Sequence, residues 1–335
     1  MRTCRRIPLA LTVMIVAASV SAWSSDQKKD VDAIGSRRVA HRSIISEQKE
    51  IAVGKQYATE IDRSARIIKD PVINEYVNRI AQNVARNSDL KIPLTVKVLD
   101  DPSINAFALP GGFLYVNSGL LQAANEEDQV AGVVAHEIAH VAARHWASQM
   151  TKATILQYAM LPLMFTPMSI GVYYGVMEAY MNGVPLAFLK FSRDDEAEAD
   201  YLGIQYMYKA GYDPNAYVAF FGKIVQEQRS NPGSVPSIFA DHPPTPDRII
   251  KTEQEIKNIL PKKQEYLVST SEFNEMKTRL GSVMSMRRKM EKSESGPTLQ
   301  KRQPENKTSP TTQQGGQQNP EDDKPPVLKR RDSPD

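Results

Sequence analysis

The sequence predicts an α+β fold that is mainly helical, with a small β-sheet beside several long helices. Most segments between residues 43 and 292 place apolar residues at helical spacing, whereas short stretches between residues 94 and 116 have strand composition. Of the 335 residues, 41% are hydrophobic and 24% are charged. These ordinary values argue against a wholly disordered chain and against a multi-span membrane protein.

The amino-terminal half supplies two helices and two strands. Residues 43–87 read as two helices separated at Asp70-Pro71, because proline suits the first turn of a helix and aspartate caps it. Residues 94–99 alternate in the manner of a strand. Residues 113–116 form a second strand, which the chain enters through a Pro-Gly-Gly turn. We expect both strands to lie in one small sheet.

A long central helix follows the second strand. Asn125 is predicted to cap it, with Asp128 completing a capping box. Further helices are predicted over residues 195–210, from Asp213-Pro214 onward and over residues 271–292, with Gly211 ending the first of them. The central helix is assigned from its apolar positions, which are Val130, Val133, Val134, Ile138 and Val141.

Residues 154–189 are mostly apolar but are interrupted by three prolines, Pro162, Pro167 and Pro185. As a membrane span, this segment would carry prolines near its middle, where they break the helix. We therefore favour a buried or surface-inserting hairpin, which gives an expectation of peripheral membrane contact. A membrane span remains the alternative interpretation.

The two ends of the chain differ from its body. Residues 1–22 carry three arginines, an apolar run and a small-residue cleavage site, which together indicate a cleaved signal peptide; an uncleaved membrane anchor is the alternative. Residues 293–335 are too poor in apolar residues to form a core, and we expect a disordered tail. The formal charge of +3 equals the three signal arginines, because residues 1–22 contain no acid. No nucleic-acid partner is therefore expected.

The strongest motif is His136-Glu137-Ile138-Ala139-His140, within the predicted central helix. Residues four apart lie on the same helix face, so both imidazoles can reach one ion. Glu137 stands beside the first ligand, where it can deprotonate a zinc-activated water. The alternative is two incidental histidines, but the chain has only five. Its single cysteine, Cys4, also leaves no cysteine-rich zinc site. We predict one Zn²⁺ per chain.

A third ligand has to come from another segment. Glu196 and Asp200 lie one helical turn apart, 56 and 60 residues after His140. Glu196 can therefore ligate zinc while Asp200 accepts the N–H of a ligand histidine. Glu198 points the other way and is the weaker candidate, and an acidic first turn also has the plain explanation of a favourable helix dipole.

At this point the sequence resembles the HtpX-like and CAAX-prenyl-protease-like zinc endopeptidases, which are gluzincins. The resemblance spans roughly residues 45–255. It rests on the stretch from Asn105 to Gly112, on the metal helix followed by Arg144-His145, on Glu196 with Ala199-Asp200, and on Asp241-His242-Pro243 with Arg248.

The resemblance implies a set of roles. His136, His140 and Glu196 would be ligands and Glu137 the base. The segment Asn105, Ala106 and Phe107 would begin an edge strand against which substrate backbone is laid. Among subtypes, the exported β-barrel assembly-enhancing protease type is most similar, although the helical repeat domain expected there is replaced by the tail. The predicted organisation is a signal peptide (1–22), a zinc peptidase domain (41–265), a C-terminal helix (266–292) and a disordered tail (293–335).

His242 has two open roles in this prediction. It can hydrogen-bond the oxyanion of the transition state, which makes it catalytic, or it can fill the fourth zinc position and hold the enzyme inactive. A plain loop histidine is the third interpretation. Arg248 is the weaker candidate, because an arginine after a loop more often makes a structural ion pair. His145 lies off the ligand face and is expected to be structural.

The sequence thus predicts a periplasmic zinc-dependent endopeptidase that hydrolyses misfolded or misassembled envelope proteins. Its partners would be unfolded or misassembled protein substrates. The alternative is a periplasmic chaperone or assembly factor in which the zinc site is idle or structural. The presence of Glu137 favours the enzyme, because a structural zinc ion needs no general base.

Overall fold

The computed structural model describes residues 28–162, 170–178, 191–230, 242 and 245–294. Ten helices and three strands are defined in these ranges, which confirms the mainly helical α+β class. The predicted signal peptide, the tail from residue 295 and parts of the apolar segment lie outside them. The helices are α1 (Glu47–Ser64), α2 (Pro71–Arg86), α3 (Ser118–Ala123), α4 (Glu127–Ala142), α5 (His145–Met160), α6 (Ile170–Glu178), α7 (Arg193–Ala210), α8 (Asn215–Ser230), α9 (Pro246–Ile259) and α10 (Ser271–Glu294).

The strands form one sheet in the order β1-β3-β2, with β1 at Thr95–Leu99, β2 at Ala106–Leu109 and β3 at Phe113–Asn117. β1 pairs parallel to β3, and β2 pairs antiparallel to β3. Within the described ranges β2 is therefore an edge strand, as the family resemblance implied. Ala106 and Phe107 lie in it, while Asn105 immediately precedes it.

The sheet separates helix α1 from the main core. Side chains of β3 alternate, so that Leu114 and Val116 face the main core and Tyr115 packs on the α1 side. The turn between β2 and β3 needs glycine at two positions. Gly111 and Gly112 have φ of +82° and +85°, and a Cβ on Gly112 would lie 2.5 Å from the Pro93 carbonyl oxygen.

Helix α4 is the centre of the molecule, since all of its 16 residues are buried. It packs against α2, α7, α8 and the edge strand β2. The prediction that Asn125 caps this helix is wrong. The helix begins at Glu127 without a side-chain cap, because the Gln129 side chain bonds the Asn125 backbone N–H at 2.9 Å while the Asn125 side chain accepts from Lys223.

The first predicted helix ends early, since α1 stops at Ser64, but the predicted ends at Asp70 and Gly211 agree with the structure. Asp70 caps α2 through the backbone N–H groups of its first turn, and Gly211 ends α7 with φ of +95°. α7 begins with a capping box between Ser192 and Asp195. In α10, Phe273, Met276 and Leu280 are buried in the main core, so this helix belongs to the same packed unit as the site helices.

The segment before α1 is also anchored in the core. The Arg37 Nε donates to Asp89 Oδ2 at 2.8 Å, and its Nη1 donates to Gln205 on α7 at 2.7 Å. Asp89 further accepts from the Tyr206 hydroxyl and from the Gly35 backbone N–H. The buried ion pair with Asp89 joins the chain before residue 41 to the segment between α2 and β1, and the bond to Gln205 joins it to α7.

The described parts of the apolar segment are exposed. The carboxyl-terminal part of α5 and helix α6 present large apolar side chains to the surface, and no residue of α6 is buried. Among the described residues, no helix combines the length and apolarity that crossing a bilayer requires. The buried form of the predicted hairpin is thus not seen for these parts, while residues 163–169 and 179–190 lie outside the described ranges. The exposed apolar side chains are Ile155, Leu156, Tyr158, Ile170, Val172, Tyr173 and Tyr174.

Candidate active site

Helices α4 and α7 bring the predicted ligands together. The Nε2 atoms of His136 and His140 lie 3.1 Å apart. Glu196 Oε2 lies 3.5 Å from the first of them, and Glu196 Oε1 lies 3.5 Å from the second. All three side chains are buried. The approach of the two helices depends on Gly203, whose missing Cβ would lie 3.2 Å from the His136 backbone nitrogen.

Asp200 orients His136, as its spacing predicted. Its Oδ1 lies 3.1 Å from the Nδ1 of His136 and accepts a 2.6 Å hydrogen bond from the Tyr217 hydroxyl. Burial would raise the Asp200 pKa, but hydrogen bonds from His136 and Arg248 outweigh it and lower the pKa to about 2. An ionised carboxylate only accepts, so the Nδ1 of His136 carries the hydrogen and its Nε2 faces His140.

Arg248, on α9, binds the two carboxylates of α7 that face the site, those of Glu196 and Asp200. Its Nη2 and Nε lie 2.7 Å from the two Asp200 oxygens, and its Nη1 lies 2.8 Å from Glu196 Oε2. The expectation of a structural ion pair is correct, and the pair lies within the site. Burial tends to raise the Glu196 pKa, but hydrogen bonds from His136 and His242 lower it well below its usual range.

These residues fit a metal cation. His136, His140, Glu196 and His242 each offer a ligand atom within 4.8 Å of the others, and all four are buried. Two imidazole nitrogens that face each other at 3.1 Å need something between them, either the hydrogen of one ring or a metal ion bound by both. A set of three imidazoles and one carboxylate suits zinc.

Glu137 joins the edge strand to the ligand cluster. Its Oε2 accepts a 3.0 Å hydrogen bond from the Ala108 backbone N–H of β2, while its buried Oε1 has no hydrogen-bond partner among the described residues. Burial raises the pKa of this carboxyl. One oxygen is therefore held in place, and the other is free to accept a proton.

His242 lies inside the site, which excludes the plain loop interpretation. Its Nδ1 is 2.7 Å from Glu196 Oε1 and 3.5 Å from the Nε2 of His136, and its Nε2 is 3.6 Å from Glu137 Oε1. Its ring is buried. Its neighbours in the sequence, Asp241 and Pro243, also carry the family resemblance but lie outside the described residues.

Two side chains outside the ligand set, Glu198 and His145, make contacts that the sequence did not predict. Glu198 points away from the ligands, as predicted, but it joins His41 and His145 in a second cluster. His145 is buried, and its Nδ1 lies 2.9 Å from the Nδ1 of the ligand His140. Sequence spacing missed both contacts, because they depend on how the chain after α4 turns back. Arg144 makes that turn with φ of +58°.

Tyr217 is a site residue that the sequence did not single out. Its hydroxyl lies within hydrogen-bond distance of both Asp200 and His136, at 2.6 and 3.1 Å. A signal was present, because Tyr217 lies in the apolar stripe of α8 with Phe220 and Phe221. A tyrosine buried in such a stripe needs a partner for its hydroxyl.

Comparison with known proteins agrees with this geometry. The sequence model of peptidase family M48 matches residues 71–256, more than half of the chain. The chain belongs to peptidase family M48. The M48 domain contains both ligand helices, the edge strand and the Arg248 clamp. The resemblance stated from the motifs is thereby confirmed, and so is the class of the domain, a metallopeptidase.

Relatives of this M48 chain are found in bacteria and in mitochondria. A Vibrio cholerae protein assigned as a beta-barrel assembly-enhancing protease is 34% identical over 263 residues, covering 76% of this chain and 53% of its own length. The Escherichia coli K12 beta-barrel assembly-enhancing protease is 27% identical over 239 residues, covering 70% and 49%. The mitochondrial metalloendopeptidase OMA1 of Schizosaccharomyces pombe is 34% identical over 182 residues, covering 53% and 52%. The chain spans about half the length of these curated relatives.

Proposed function

We propose that this chain is a zinc-dependent endopeptidase of the bacterial envelope. The observation that carries the proposal is the pairing of a buried cluster of cation ligands with the free oxygen of Glu137. His136, His140 and Glu196 would hold the zinc ion. When bound, zinc lowers the pKa of water to about 7 and polarises the scissile carbonyl.

Glu137 is the general base in this proposal. Its Oε1 takes a proton from the attacking water as the new C–O bond forms on the carbonyl carbon. The same carboxyl then gives the proton to the leaving amine as the C–N bond breaks. The hydrogen bond from Ala108 holds Oε2 throughout, so that Oε1 keeps its position. Burial raises the Glu137 pKa, which makes this carboxylate a stronger base.

The edge strand β2 would position the substrate. Among the described residues, β3 is the strand that pairs with β2. On the edge of β2 that faces away from β3, the Ala108 N–H donates to Glu137, the proposed base. An extended substrate segment can add to such an edge through main-chain hydrogen bonds. A segment paired in this way would have a peptide bond next to Glu137, and unfolded chains would be favoured because only extended backbone can pair with the strand.

His242 would act as a removable plug. Its Nδ1 joins the ligand cluster while its Nε2 faces the oxygen of Glu137 that has to accept the proton. A hydrolytic zinc site needs an open position for water, and His242 lies where that position is expected. This geometry supports the fourth-ligand role over the oxyanion role.

The substrates and the location are proposed from the relatives. Two of them are named for enhancing β-barrel assembly, and residues 1–22 have the pattern of an export signal. We therefore infer a periplasmic enzyme that cleaves misfolded or misassembled envelope proteins. The exposed apolar side chains of α5 and α6 support peripheral membrane contact by residues 154–189.

Substrate trapping tests the proposed substrate class. Glu137→Gln removes the base but keeps an amide oxygen for the Ala108 N–H, so the variant should bind substrates and fail to cleave them. Crosslinked partners recovered from cells should be outer-membrane and periplasmic proteins. Recovery of cytoplasmic proteins alone would contradict the envelope assignment.

The chaperone alternative retains support from the exposed apolar surface of α6. It predicts that wild type and Glu137→Gln suppress the aggregation of a denatured outer-membrane protein equally and that neither cleaves it. The enzyme proposal predicts cleavage products with wild type alone. Gel analysis of the same reactions separates these two outcomes.

A further inference from the structure

A second cluster of titratable side chains lies behind the ligand His140. It consists of His41, His145 and Glu198, whose ligand atoms lie within 4.8 Å of one another. His145 is fully buried, and Lys28 also contacts Glu198. Such a group could bind a second metal ion, or it could orient the first site. Hydrogen-bond geometry distinguishes the two roles.

The Glu198 carboxylate determines where the hydrogens of the neighbouring imidazoles lie. Glu198 Oε2 lies 2.7 Å from the Nε2 of His41 and 3.5 Å from the Nε2 of His145. Asp195 places a second carboxylate oxygen 4.0 Å from the same His145 nitrogen. Ionised carboxylates accept hydrogen bonds and cannot donate them, so the Nε2 of His145 carries a hydrogen.

The next contact joins the two clusters. The Nδ1 atoms of His145 and His140 lie 2.9 Å apart, so one hydrogen lies between them. A histidine that ligates a metal through Nε2 carries its hydrogen on Nδ1. His140 must then donate to His145, whose remaining lone pair is on Nδ1. With that ligation, both contacts run in one direction of donation, from His140 to His145 and from His145 to Glu198.

We propose that His145 and Glu198 are positioning residues that fix the tautomer and the ring orientation of the zinc ligand His140. A ligand histidine usually donates its second N–H directly to a carboxylate or carbonyl oxygen. Here the imidazole of His145 lies between the ligand and the carboxylate. The inference rests on the proposed zinc site, since it assigns the proton of His140 from that ligation.

The same assignment excludes a second metal ion bound through His145. A metal on the Nε2 of His145 would force the hydrogen onto its Nδ1, which would then donate to His140. His140 would carry its own hydrogen on Nε2 and could no longer ligate the first ion. With neutral imidazoles, the two sites exclude each other, and Lys28 adds a positive charge beside Glu198.

Zinc affinity of the metal-free chain, measured by competition with a chromophoric chelator, tests the proposal. Glu198→Gln and His145→Phe should raise the zinc Kd about 10–100-fold, the usual effect of losing the partner of a ligand. His145→Asn should recover part of the loss, because its side-chain oxygen can accept from the Nδ1–H of His140. Asp194→Asn is the matched control, since it removes an exposed acid one turn before Glu198 and should leave Kd unchanged.

The metal content at saturation separates the two roles of the cluster. The proposal expects one zinc per chain in wild type and in every variant. A wild-type content of two that falls to one in Glu198→Gln, with the tighter site unchanged, would overturn it. Unchanged Kd in both Glu198→Gln and His145→Phe would also overturn it. Complete absence of zinc binding by folded wild type would instead refute the proposed function. If His145→Phe does not fold, Glu198→Gln decides.

Discussion

Arg248 supplies positive charge to two buried carboxylates, those of Glu196 and Asp200. Arg248→Met leaves that charge uncompensated, and removing one partner of a buried pair costs about 3–5 kcal/mol. We expect a loss of this size in the free energy of unfolding of the zinc-free chain, measured by urea titration. Lys251→Met is the control, because Lys251 lies exposed on the same helix. An equal loss in both variants would contradict the clamp.

His242→Ala tests the plug. If His242 fills the open position, its removal should increase the rate of cleavage of an unstructured peptide several-fold, because water gains access to the base. A large loss of rate would support the oxyanion role instead. An unchanged rate would exclude both roles and leave His242 as a buried structural residue.

Asp128 is expected to make stability depend on pH. Burial raises its pKa to about 7, helped by the nearby acids Glu126 and Asp213, and its Oδ1 has no hydrogen-bond partner in the described part of the chain. The unfolded carboxyl ionises near pH 4, whereas the folded one keeps its proton up to about pH 7. Stability should therefore fall as pH rises between these values, because the unfolded state binds fewer protons there.

Asp128→Asn should remove this dependence. The variant should gain stability relative to wild type at pH 8 and gain less at pH 5, as measured by urea titration at both values. Glu253→Gln, on the exposed side of α9, should show no such difference. An Asp128→Asn effect of the same size at both pH values would disprove the assignment.

The crossing of α4 and α7 sets the geometry of the ligand cluster. Gly203 allows the close approach, since a Cβ there would press on the His136 backbone. Gly203→Val should destabilise the fold by about 1–3 kcal/mol, the usual cost of overpacking, and should also weaken zinc binding. Gly222→Ala on α8 is the control, because nothing lies within 4 Å of its added Cβ. Loss of stability with unchanged zinc affinity would show that the helix crossing does not set the geometry of the ligand cluster.

Local sequence patterns predicted most elements but not all of their ends. Asp70 begins α2 and Gly211 ends α7, as predicted, because a cap acts on the backbone of the residues next to it. Asn125 failed as a cap, because the side chains of Gln129 and Lys223 bind it instead. The motif spacing on α4 and α7 predicted which residues converge. Tyr217 and the contact between His145 and His140 could not be predicted, since they depend on tertiary packing.

The packed unit extends beyond the predicted peptidase domain of residues 41–265. Arg37 is buried before it, and Phe273, Met276 and Leu280 of α10 are buried after it. A chain that ends at residue 292 should keep the Tm and the zinc affinity of the full chain, because the tail is predicted to be disordered. A chain that ends at residue 265 should lose several kcal/mol, since each large buried side chain contributes about 1.5–3 kcal/mol. Equal melting temperatures for the two truncated chains would contradict this.

Zinc-dependent cleavage by the whole chain tests the central claim most directly. Metal-free wild type and Glu137→Gln are titrated with zinc, and cleavage of a denatured outer-membrane β-barrel protein is followed by mass spectrometry. We predict that both bind one zinc per chain, that wild-type cleavage saturates at that ratio, and that Glu137→Gln is about 10²–10⁴-fold slower, the usual contribution of a general base. Cleavage that proceeds without zinc, or at the wild-type rate in Glu137→Gln, would contradict the account.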